Sequence, residues 1–271
     1  MKNIYFRLLT LFCLNTFAQE SNQATEEIVA DSLAVPTLTD HPQTVSKAIA
    51  DSAYVKGEFQ KAIDYYEALL VEGVSDEIYY NLGNSYFKMD NLGKAILNYE
   101  RALLLNPGNN DIQANLAISK SKTVDKVESL PELFFISWTK ALMNQSSADG
   151  WAKWAISFFI LFLVCSFLYV FSKQILIKKI SFTLGILFFL FTLGTHAFAR
   201  QQKKVLLSRD TAIVMTPSVT IRSTPSESGT ALFILHEGRK VGIKDSVGEW
   251  KEITLEDGKV GWINSSDIEV I

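Results

Sequence analysis

Two apolar stretches, Ala155–Ser172 and Ile180–Ala199, lie close together in the middle of the chain, with only KQILIKK (Lys173–Lys179) between them. Each is nearly free of charge and about 18–20 residues long, roughly 27–30 Å as a helix, which is the thickness of a bilayer core. A bilayer offers no water to unpaired backbone groups, so each run is predicted to be helical. The connector is too short to leave a membrane surface. The chain is therefore expected to cross as a helical hairpin, with spans at 151–172 and 180–199 and both flanks on one side. A buried helix pair of a soluble protein is the competing reading. It needs a polar face, and FFILFLV and ILFFLFTLG have none.

The first residues indicate which side that is. MKNIYFRLLTLFCLNTFAQE has Lys2 and Arg7, an apolar core Leu8–Leu14, then Thr16-Phe17-Ala18. These are the three regions of a secretory signal, expected over 1–18, with cleavage after Ala18 or retention as an anchor. Bulky Phe12 before Cys13 argues against lipid attachment at that cysteine. If the signal is used, the next segment is exported, and Lys173, Lys178 and Lys179 fall in a cytoplasmic loop, as the positive-inside bias prefers. Arg200, Lys203 and Lys204 pull the other way. The expected location is the inner (cytoplasmic) membrane, with both soluble parts on the periplasmic side.

Charge distribution narrows the partners. Glu20–Glu132 holds 18 acidic and nine basic residues, so this segment offers no basic patch for nucleic acid or anionic lipid. The two cysteines, Cys13 and Cys165, fall in the signal and the first span and form no useful pair.

Residues 19–43 are polar, with Pro36 and Pro42, and read as a disordered acidic leader. Helical periodicity begins near Val45. AYVKGEFQKAIDYYEALL (Ala53–Leu70) and SYFKMDNLGKAILNYERALL (Ser85–Leu104) align with Ala62 and Ala95, and Tyr66 and Tyr99, each 33 residues apart. Such a period signals stacked helical hairpins. The second unit has Tyr79, Leu82, Gly83, Tyr86, Ala95, Tyr99, Ala102 and Pro107. It resembles the tetratricopeptide repeat (TPR) at nearly every anchor. Small residues sit where helices approach, and Asn106-Pro107-Gly108 ends the second helix. The first unit is degenerate, and a helix at Asp111–Ser121 is expected to cap the array over 44–122. Two repeats and a cap are marginal alone, so packing onto a neighbour is expected.

In TPR stacks the first helix of each repeat lines the concave side. That register nominates Asp51, Tyr54, Tyr80, Asn84, Phe87 and Lys88 as partner-binding residues. Tyr80, Asn84 and Phe87 fall at i, i+4 and i+7 on one helix face. An aromatic pair flanking an amide suits an extended peptide, whose backbone Asn84 can bond in both senses. Asn84 and Lys88 are expected to be removable without unfolding. The competing reading is that Tyr80 and Phe87 are packing residues.

Over 130–150, Phe134, Phe135, Trp138, Ala141 and Leu142 recur at helical spacing. The helix either lies in a membrane interface or closes the repeat stack. Trp151 and Trp154 suit an aromatic belt, and Ser147 or Asp149 is placed to cap the first span. After Leu207 the pattern becomes short alternating runs broken by turns such as Glu237-Gly238 and Asp257-Gly258, which predicts five or six strands closed into a small barrel over 208–271. Val219–Ser223, Leu235–Gly238, Trp250 and Val260–Ile263 resemble the bacterial SH3 (SH3b) domain. Trp250 and Trp262 are read as core or rim aromatics, with a ligand platform as the alternative.

The predicted fold class is multidomain: all-α TPR hairpins, a two-helix transmembrane hairpin and an all-β SH3-like small barrel. This order of parts resembles the TPR/SH3b inner-membrane proteins of the aerotolerance (Bat) operon, BatE type. The resemblance implies work beside von Willebrand-type proteins and a MoxR-type ATPase system, in envelope stress tolerance. No HExxH, GxSxG or phosphate loop is present, and His41, His196 and His236 fall in the leader, a span and the barrel. The expectation is a non-enzymatic protein without cofactor or metal. Its role is either a scaffold for protein partners or an SH3b-mediated peptidoglycan anchor or envelope sensor.

Overall fold

The computed structural model describes residues 45–126 and 133–271; the expected signal, leader and residues 130–132 lie outside the described residues. Five helices form the repeat unit: α1 (Lys47–Val55), α2 (Phe59–Glu72), α3 (Asp76–Lys88), α4 (Leu92–Leu105) and α5 (Asn110–Lys122). The turns within the two repeats follow one rule. Gly57 and Asp90, 33 residues apart, both sit in the left-handed region, at φ 79° and 60°. The second repeat fills with Asp a position where the first has Gly, and Asp is among the residues that tolerate it. Asn91 then caps α4 by accepting from the Lys94 N–H, and Asn109 caps α5 by accepting from Asp111 and Ile112. The capping helix runs one residue further at each end than the expected Asp111–Ser121, because its caps lie just outside that range.

Tyr66 and Tyr99, each 1% exposed, are wedged into the helical core. Gly83 makes room for the second: a Cβ there would stand 2.8 Å from two Tyr99 ring carbons. Ala95 and Ala102 are fully buried beside it.

Beyond α6 (Phe134–Met143), two long helices, α7 (Ala148–Phe171) and α8 (Ile175–Leu207), pack antiparallel. Ring pairs mark the register: Trp151 with Phe198, Phe158 with Phe191, Phe162 with Phe189 and Tyr169 with Phe182, with centroids 5.1–5.7 Å apart. Cys165 is buried where Gly185 lets the helices close. Both helices are long and apolar enough to cross a membrane, and only 11% of each apolar window is buried within the protein. Ser147 is the α7 cap, accepting from the Gly150 N–H. The expected seven-residue connector shrinks to Ser172–Gln174. Ile175–Lys179 contains no Gly or Pro and forms the first turns of α8, and the absence of a breaker after Ala199 carries that helix on to Leu207.

The C-terminal part is an antiparallel sheet of seven strands: β1 (Thr211–Val214), β2 (Ser218–Arg222), β3 (Ala231–His236), β4 (Lys240–Val247), β5 (Trp250–Thr254), β6 (Val260–Asn264) and β7 (Ile268–Val270). Their order is β3-β2-β6-β5-β4-β1-β7, and every strand contributes to one apolar cluster. The count exceeds the expected five or six because β7, three residues long after a 3-10 turn at Ser265–Asp267, is too short to show alternation. Trp250 and Trp262 are half-buried.

The sheet is the neighbour that the short repeat array requires. β1 is buried on both sides: Ala212 and Val214 enter the sheet core, while Ile213, pointing the other way, joins the helical core. The β3–β4 turn supplies the rest. Glu237 accepts from the Gly93 N–H in the first turn of α4 at 2.8 Å, a position favoured by the helix dipole. Gly238, at φ 83°, lies so close to Ile96 and Thr123 that a Cβ would stand 2.8 Å from each. His236 donates its backbone N–H to Asp125 and pairs its Nδ1 with the same carboxylate, both at 2.8 Å. Lys240 reaches Glu100 at 2.7 Å, and Lys120 of α5 meets its other oxygen at 2.6 Å. Arg101 of α4 donates to Glu269 and to the Val270 carbonyl. α4 is thus buried by α3 on one face and by the sheet on another.

Candidate binding groove

The first helices of the successive hairpins, α1, α3 and α5, line one face of the repeat unit. Between them is a cleft of about 300 Å³ lined by Tyr54, Tyr80, Asn84, Phe87, Lys88, Tyr99, Asn115 and Ile118. Five of the six nominated residues meet there. Tyr54 comes from the last turn of α1, the other four from one stripe of α3. The Tyr80 ring lies 6.0 Å from that of Tyr99. The Lys122 ammonium sits 4.4 Å from the Phe87 ring centroid, a cation–π contact at the rim. Lys88 and Ile118 are exposed.

Asp51 is not part of this lining; it belongs to a hydrogen-bond pattern that repeats with the sequence. Its Oδ1 accepts from the Tyr66 hydroxyl at 2.6 Å and the Asn81 amide at 3.2 Å. One repeat later, Asn84 Oδ1 accepts from the Tyr99 hydroxyl at 2.7 Å and the Asn115 amide at 2.9 Å. The same acceptor position thus receives a tyrosine from the second helix of its own repeat and an asparagine from the first helix of the next. Both tyrosines are raised well above the usual phenol range, first by burial and, for Tyr66, by the Asp51 carboxylate it bonds. Burial would push the Asp51 carboxyl up, but the bonds from Tyr66 and Lys47 outweigh it and hold the group below its ordinary value.

This wiring corrects two expectations. The Asn84 oxygen is occupied, which leaves its N–H groups for a ligand rather than bonding in both senses. Replacing Asn84 by Ala would strand the hydroxyl of the buried Tyr99, so that variant does not spare the fold. Lys88 and Ile118, both exposed, are the positions at which the groove can be altered with the fold intact. Tyr80 and Phe87 are half-buried against the helical core while lining the cleft, so they pack and face the groove at once.

Four contributors were not nominated: Tyr99, Asn115, Ile118 and Lys122. α5 reads in the sequence as a cap, yet Asn115 lies 34 residues after Asn81, and that spacing marks it as a further first helix of the array.

No curated protein matches the chain. The family model for the tetratricopeptide repeat matches residues 77–109, which cover α3, α4 and the turn that follows; this segment is a tetratricopeptide repeat, a module of protein–protein interaction that is in general not catalytic.

Proposed function

We propose that the protein is a non-enzymatic, membrane-anchored scaffold whose TPR groove holds an extended segment of a partner protein. The observation that carries this is an open cleft on the concave face of a repeat whose opposite side is covered by the sheet, so the groove is the face left for a partner. The apolar helix pair serves as the anchor. Two helices with exposed Phe, Leu and Ile along their length are unsuited to water, and bilayer lipid removes that burden. In this reading the sheet is an SH3-like barrel, the repeat unit and barrel face the exported side, and the resemblance to the aerotolerance proteins makes partners of the same membrane complex the expected ligands.

The test is capture from membranes by the full-length chain carrying a photo-crosslinking residue at position 89, beside the groove. Lys88→Ala with Ile118→Ser should leave the melting temperature within about 2 °C, as for surface substitutions, and lower crosslinked partner at least about tenfold, the loss of 1.4 kcal/mol of binding. Equal capture by the two proteins would remove the groove from consideration. The exposed Leu232 and Ile234 on edge strand β3 would then be the better candidate surface.

A further inference from the structure

α6 is the one described helix with no buried residue. Phe134 is 83% exposed, Phe135 62% and Trp138 58%. At 100° per residue these three and Leu142 fall within a stripe about 100° wide, with Ile136 and Lys140 on the opposite side. Such a face does not stay in water without a partner. The sequence leaves open whether the helix closes the repeat stack, and the structure answers that its aromatic stripe does not. Among the described residues its C-terminal end is tied to other elements.

That end is held firmly. The Met143 carbonyl accepts from the Trp151 indole N–H at 2.8 Å and from the Gln202 amide at 3.0 Å, and Gln202 also donates to Asn144. Trp151 opens α7 and Gln202 lies near the end of α8, so both mark the mouth of the helix pair. On the other side, Gly108 of the repeat unit lies against Gln145, too close for a Cβ. The elbow at 143–147 therefore joins three parts: the mouth of the helix pair, the closing turn of the TPR and the C-terminal end of the aromatic helix.

We propose that α6 lies in the headgroup–acyl boundary of the bilayer, aromatic stripe inward, and that the elbow thereby fixes the repeat unit against the membrane surface. The occupant is lipid. Its aromatics are of the type that suits an interface, and its C-terminal end is hydrogen-bonded to Trp151 in the first turn of the apolar helix α7. This inference rests on the membrane reading above. Held so, α6 limits the tilt of the repeat unit and sets the direction in which the groove faces.

The test uses the full-length chain in phosphatidylcholine vesicles with Cys13→Ser and Cys165→Ala as background. A single environment-sensitive fluorophore is attached at Phe134→Cys, at Ile136→Cys or, as a control, at Leu163→Cys. Shallow and deep spin-labelled phosphatidylcholines and aqueous iodide serve as quenchers. The expected result is deep quenching at 163, shallow lipid quenching at 134 with iodide quenching at least about threefold weaker than at 136, and the reverse preference at 136. Deep quenching at 163 with equal iodide quenching at 134 and 136 would overturn the inference and leave the membrane reading standing. Loss of lipid quenching at 163 would overturn both.

Discussion

Tyr99→Ala is expected to destabilise the repeat unit by roughly 3–5 kcal/mol, the range for deleting a large aromatic from a packed core. The ring is 1% exposed and packs against Gly83, a residue with no side chain to refill the space. Its hydroxyl also ties α4 to α3 and, through the shared Asn84 oxygen, to α5. Tyr99→Phe should cost only about 1 kcal/mol, since Asn84 keeps its bond from Asn115. Chemical denaturation followed by circular dichroism on the full chain separates the two. A Tyr99→Ala curve that overlays the parent would mean that this ring does not hold the array.

A second large effect is expected at Glu100, where the sheet meets the repeat. Burial opposes ionisation of this carboxyl, yet Lys240 and Lys120 outweigh it and hold the group below its ordinary value. Its contribution to stability is therefore complete above the ordinary carboxylate range, near pH 4.3, and is lost as pH falls through the lower folded value. Replacing Lys120 and Lys240 together with Met removes both cations and leaves burial alone, which raises the group instead. The expected loss at pH 7 is about 3–5 kcal/mol, as for breaking other buried pairs. The pH dependence should also invert, with the variant gaining stability as acid protonates Glu100. Adding Glu100→Gln to the variant should abolish that inversion. Melting temperatures between pH 7 and about pH 3 test this, and a double-Met variant that loses stability in acid as the parent does would contradict the assignment.

The helical repeat was legible in the sequence because its anchors recur at 33 residues, and the apolar helices because their runs have no polar face. The docking of the sheet on α4 was not. Its signal is a difference between the repeats rather than a likeness. Leu97 and Glu100 of α4, both buried, stand where α2 has exposed Asp64 and Glu67, one repeat earlier. A period search treats such differences as degeneracy. β1 was hidden for a related reason: a strand buried on both faces reads TAIV, a short apolar run without alternation. In the groove, residue type and register placed Tyr54, Tyr80, Asn84, Phe87 and Lys88 together. They could not reveal that Asp51 and Asn84 accept hydrogen bonds from buried tyrosines, because those partners come from other helices.

In the proposed arrangement the repeat unit and the sheet form one body on one side of a membrane that the two long helices cross. The contacts Glu100–Lys240 and Asp125–His236 support it, since parts that touch must share a side. Labelling of intact cells by a membrane-impermeant maleimide tests this, using the full chain without its native cysteines and with one new cysteine at Lys56, Gln174 or Glu249, all exposed. Positions 56 and 249 should label from outside, and position 174, between the two long helices, only after the membrane is opened. Opposite behaviour of positions 56 and 249, or external labelling of all three, would overturn the arrangement.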